Sequence, residues 1–150
     1  MQAILWGVLT GLLAGGLGWL AWIDLRTHRL PDRLTLPLIA LGLCGAALEG
    51  WDRVVAGAIG GVAAYALLAL VGHLHFNRTG REGLGLGDAK LFAAAGTWLG
   101  WAALPMVMLI AAGTALVFAL LTRRGGTQIA FGPWIALGFM IVWLIQTAPF

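Results

Sequence analysis

Six apolar stretches, at residues 3–23, 34–48, 54–73, 90–103, 104–121 and 129–147, account for most of this chain and are separated only by short polar segments. Their abundance is the strongest constraint on the fold. The chain is 61% hydrophobic and 10% charged over 150 residues, with a mean hydropathy of +0.93. A water-soluble domain of this size could not bury so much apolar surface. A bilayer is the solvent that suits it, and each stretch is read as a membrane helix. The expected fold is therefore all-α: a polytopic integral membrane bundle of about six transmembrane helices, forming a single domain over residues 1–150. The first stretch is too long for a signal-peptide core and has no basic segment before it, so it is expected to remain as a spanning helix. The second and fourth are short of the roughly 20 residues of a full crossing. Gly100 and Pro105 mark a tight turn between the fourth and fifth.

The charges set the expected topology. Arg26, Arg29 and Arg33 follow the first helix, Arg78, Arg81 and Lys90 bracket the link from third to fourth, and Arg123 and Arg124 follow the fifth. Arg53 alone lies elsewhere, beside Glu49 and Asp52. The positive-inside rule places the three basic loops in the cytoplasm and both termini outside. Five helices would put the first and last basic loops on opposite sides. Trp51, Trp98 and Trp101 are expected near the outer interface, and Trp19, Trp22 and Trp134 near the inner one. The net charge of +3 is dispersed over these loops rather than gathered on one helix face, which argues against a nucleic-acid partner. Glycine- and alanine-rich segments in the first, third and fourth helices are expected to let helices pack closely in lipid. Cys44 is alone, so no disulfide framework or zinc set exists, and it is expected to be a buried small hydrophobe.

Three acids ask for an explanation. Glu49, Asp52 and Glu82 sit in polar loops, but Asp24, Asp32 and Asp88 lie where helices meet the cytoplasmic edge. Asp24 ends the first helix in "IDLRTHRLPDRLTLPL", and Asp88 opens the fourth in "GLGLGDAKLFAAAG". The structural explanations are an ion pair from Asp24 to Arg26 or Arg29 and an N-cap by Asp88. Two carboxylates at one depth suggest more, because close carboxylates cannot both ionise cheaply and share a proton. One can then take a proton from water while the other donates to a carbonyl oxygen, which requires no metal, cofactor, cysteine or serine. Gly85 and Gly87 beside Asp88 would let an extended peptide approach. A nucleotide-binding glycine loop would need a preceding strand, and none is expected. His28 belongs to a wet loop, and His73 and His75, two apart on a helix, cannot share a metal.

These segments resemble the type IV prepilin peptidase family of membrane aspartic proteases with a G-x-G-D motif. "IDLRTHRLPDRLTLPL" resembles its first signature, "GLGLGDAKLFAAAGTWLGW" its second, and the Phe-Gly-Pro of "TQIAFGPWIALG" its third. The resemblance implies a peptidase of the bacterial inner membrane that removes the basic leader of prepilins, or of type II secretion pseudopilins, at the cytoplasmic face. Asp24 and Asp88 would be the catalytic pair. Lys90 would orient Asp88 or the substrate, and Asp32 would serve a capping or structural role, with membership of the dyad as the rival. Many members also carry a region with paired cysteines and methylate the new N-terminus. With one cysteine and no such region in this sequence, the chain is expected to be either a naturally minimal peptidase or a piece of a longer protein, in both cases without methyl transfer. Two other functions compete: a proton-coupled transporter or channel, whose carboxylates would sit at mid-membrane on broken helices, and a non-catalytic membrane scaffold.

Overall fold

The computed structural model describes residues 2–80, 85–122 and 130–147, without the side chains of residues 2 and 3. Arg81, Glu82, Arg123 and Arg124, counted above among the loop charges, lie outside the described residues. Among the described residues six α-helices follow one another: α1 (Gln2–Thr27), α2 (Asp32–Glu49), α3 (Trp51–Thr79), α4 (Leu86–Leu99), α5 (Leu104–Thr122) and α6 (Gly132–Thr147), with a short 3₁₀ turn, Trp101–Ala103, between α4 and α5. Among the described residues there is no strand. The chain is a multi-pass membrane protein: α1, α3 and α5 are long and apolar enough to cross a membrane, and α6 is a shorter apolar helix.

Helix lengths follow from surroundings. The 29 residues of α3 would extend about 43 Å at 1.5 Å per residue, well beyond a hydrocarbon core of about 30 Å. The 14 residues of α4 fall short of that core, yet ten of them are buried. A helix enclosed by protein satisfies its own backbone and need not match the lipid thickness. The break after α4 is at Gly100, whose φ of +81° lies in the left-handed region that favours glycine.

The helices form two packed groups. α4 packs against α3 and α2, and α6 packs against α5 and α1, while α4 and α6 meet along the seam between the groups. The α3–α4 contact is backbone on backbone. A Cβ on Gly60 would stand 2.6 Å from the carbonyl oxygen of Gly96, and one on Gly57 would stand 2.7 Å from that of Thr97. Such approach is what small residues provide where lipid supplies no hydrophobic drive between helices. The glycines of α1 behave otherwise: a Cβ added at Gly15 or Gly18 would meet nothing within 4 Å, and one at Gly16 only the tip of Leu38 at 3.7 Å. Close packing therefore holds for the third and fourth helices and not for the first.

Two further expectations are corrected. Trp98 is not an interface residue. It is 5% exposed, packs edge-on against Phe139 and Trp143, and donates its indole N–H to the carbonyl of Leu38 at 2.8 Å. This bond ties α4 to α2 and satisfies the indole inside the bundle. Cys44 is exposed on the outer side of α2. In lipid the outer surface is as apolar as the core, so hydrophobic neighbours do not mark burial.

Candidate active site

The ends of five elements meet around one cavity of about 610 Å³, with Asp24, His28, Asp32, His73, Asp88 and Lys90 in its wall. That volume is within the range of about 300–1,000 Å³ for ligand pockets. Each acid arrives by a different route.

Asp24 continues the buried stripe of α1. Leu13, Leu17 and Leu20 are buried, and the steps of four, three and four residues that link them to Asp24 keep all four on one helix face. Asp24 is only 4% exposed. Its Oδ2 accepts the backbone N–H of Gly132, the first residue of α6, at 3.1 Å. Among the described residues neither Arg26 nor Arg29 forms an ion pair with it; Arg26 instead stacks over the Trp22 ring at 4.3 Å. The expected arginine partner is thus replaced by a helix N-terminus, whose unpaired amides suit a carboxylate.

Asp88 is in the first turn of α4, not before it. Gly85 is the capping residue, and the Asp88 amide donates to the Gly85 carbonyl at 3.1 Å. The Asp88 carboxyl interacts with the Gly85 backbone amide, the reach from third helical residue to cap seen in a capping box. Asp88 is also close enough to Asp24 for the two carboxyls to interact electrostatically. The structure therefore brings the expected pair together across the seam between the two helix groups.

Lys90 and Asp32 pair with each other. Lys90 Nζ lies 2.5 Å from Asp32 Oδ1, with Asp32 the more exposed partner. The bridge joins the N-terminal parts of α4 and α2. Pro31, not Asp32, occupies the cap position of α2.

The two glycines divide. Gly85 is exposed, and a Cβ there would meet nothing closer than the Gly87 amide at 3.9 Å. Gly87 faces inward: a Cβ would stand 2.9 Å from Leu30 Cβ. Its lack of a side chain admits the α1–α2 connection of this same chain. Leu30 is buried and also reaches Gly132, where its Cδ1 would lie 3.3 Å from an added Cβ. It sits as a wedge between α4 and α6, beside both acids. Residue type alone does not single out Leu30 or Gly132; the Phe-Gly-Pro segment is the available signal for Gly132. His73 bonds Asn77 at 3.1 Å on α3.

Fold and site together define a class: a multi-pass helical membrane protein with Asp24 and Asp88 in the wall of one cavity at one end of the bundle. Comparison with known proteins is specific. The type IV leader peptidase family matches residues 11–120, and the chain belongs to that family. It is 51% identical to the prepilin leader peptidase/N-methyltransferase of Escherichia coli (strain K12) over 126 residues, covering 81% of this chain and 56% of that protein. It is 41% identical to the protein of that name from Pectobacterium carotovorum subsp. carotovorum over 139 residues, covering 89% and 49%. With that of Neisseria gonorrhoeae it shares 38% identity over 162 residues, covering 97% and 56%. The chain thus spans about half the length of the curated relatives it matches. No solved structure matches it.

Proposed function

We propose that this chain is an aspartic endopeptidase that removes the basic leader of type IV prepilins or type II secretion pseudopilins, with Asp24 and Asp88 as the reacting pair. The observation that carries the proposal is the placement of both carboxyls in one cavity at one end of the bundle, in a chain of the leader peptidase family. A carboxylate takes a proton from water as the water attacks the scissile carbonyl. The other carboxyl, protonated, donates to the carbonyl oxygen, and the roles reverse as the amine leaves. A relay for proton transport would favour acids at mid-membrane; these lie at helix ends.

The cavity end is taken as cytoplasmic in a bacterial inner membrane, with both termini outside. Arg26, Arg29, Arg33, Arg78 and Lys90 belong to that end, whereas Arg53 at the other end is bound to Glu49 at 2.9 Å. Single cysteines replacing Asn77 and Trp51, at opposite ends of α3, test this in oriented membranes once Cys44 is replaced by alanine. Asn77→Cys should react only with reagent on the cytoplasmic side, and Trp51→Cys only from outside; the reverse overturns the topology. Incubation of the purified chain with a prepilin in detergent tests the activity. Loss of the leader at a single bond is the expected outcome, and an intact prepilin would contradict the proposal.

A further inference from the structure

The Phe-Gly-Pro segment acquires a role from its position beside Asp24. The N–H of Gly132 is among the first four of α6, which have no partner inside the helix. It is spent on Asp24 Oδ2 at 3.1 Å, in a buried setting. A Cβ on Gly132 would stand 2.5 Å from that same oxygen and 3.0 Å from the carboxyl carbon. Only a residue without a side chain can bring its amide this close to a carboxyl held on a packed helix. The donor and the missing methyl act on one atom.

We propose that Gly132 is a positioning residue for peptide cleavage: its amide and its lack of a side chain fix one oxygen of Asp24 and leave the other for the reaction with Asp88. The inference rests on the reading of Asp24 as a reacting acid. Pro133, the second residue of α6, has no N–H to offer, which costs nothing in a first helical turn where that donor would have no partner inside the helix. Gly132 contributes no atom to the substrate. A purely structural Gly132 would instead accommodate Leu30 and matter only for stability.

The test compares wild type, Asp24→Asn, Gly132→Ala, Gly138→Ala and Gly113→Ala at equal folded concentration in one detergent, with a prepilin as substrate. Gly138 is the packing control, since a Cβ there would stand 2.6 Å from the Val107 carbonyl oxygen, and Gly113 is the open control with nothing within 4 Å. Gly132→Ala should lower kcat roughly 100-fold, the scale of a displaced catalytic group, with KM little changed. Gly138→Ala should lower the melting temperature and keep its kcat per folded molecule; Gly113→Ala should match wild type. If Asp24→Asn is dead and Gly132→Ala keeps a wild-type kcat, the positioning role is overturned and the proposed function stands. If Asp24→Asn still cleaves, the reading of Asp24 as a reacting acid falls, and the positioning role with it. Should Gly132→Ala not fold, the amide of Gly132 is followed by NMR in wild type and Asp24→Ala. A downfield proton that moves upfield in the variant supports the bond, and an unchanged resonance overturns it.

Discussion

The two helix groups hold their acids in opposite ways. Asp88 belongs to α4, the most enclosed helix, clamped by glycine contacts from α3 and by the Trp98 bond to α2. Asp24 belongs to α1, whose outer face carries exposed Trp19, Trp22 and Leu25 and whose glycines make no close contact with other helices. One carboxyl is fixed by a rigid scaffold. The other depends on a stripe of leucines and one amide from α6. A site built across two groups can be damaged from either side, and the damage should look different. Damage to the packing around Asp88 should appear as instability, and damage to the contacts that aim Asp24 as lost chemistry in a folded protein.

The largest stability effect should come from the α3–α4 seam. A Cβ on Gly96 would overlap the Gly60 backbone, which cannot swing aside. Overpacking of this kind costs about 1–3 kcal/mol, and more where backbone must move. Gly96→Ala should therefore lower the melting temperature strongly in detergent. An unchanged melting temperature would break the contrast at its firmer side.

A smaller effect is expected at the bridge between α2 and α4. Lys90→Met removes a partly exposed ion pair, worth about 0–1 kcal/mol. Thermal stability should fall slightly and cleavage should persist at a reduced rate. Complete loss of cleavage with normal folding would assign Lys90 a part in the reaction, and would sharpen the comparison by adding a reacting group to the α4 side. No loss at all should follow Gly15→Ala on α1, where the added methyl meets nothing within 4 Å. Higher helix propensity offers a gain of roughly 0.5–1 kcal/mol. A marked loss of stability there would show that α1 packs against something tightly after all.

Much of the fold is legible in the sequence because apolar length is a coarse signal. All six stretches form helices, and the expected break falls at Gly100, while Pro105 lies inside the first turn of α5. What the sequence hides is which side of each helix faces inward. α1 is apolar all round, so Leu13, Leu17 and Leu20 look no different from exposed Leu5 and Leu12. Cys44 and Trp98 depart from expectation for the same reason: in lipid, composition does not separate interior from surface. The acids are legible since few charges occur in the chain, and a carboxyl at the end of an apolar run stands out. Their partners are not. Gly132 lies 108 positions from Asp24, and nothing in a glycine's type announces a hydrogen bond made by its backbone. The guest expected at Gly87 is likewise an external peptide, whereas Leu30 occupies that space.

The central claim is that two carboxyls from separately built halves act as one unit. Groups that act as a unit give non-additive losses, since removing either already removes the function of both. The most direct measurement is the cleavage rate of Asp24→Asn, Asp88→Asn and the double variant under single-turnover conditions, with folding checked by melting temperature. Each single variant should fall to the same floor as the double variant while remaining folded. Losses that multiply in the double variant, or substantial cleavage by either single one, would contradict the claim.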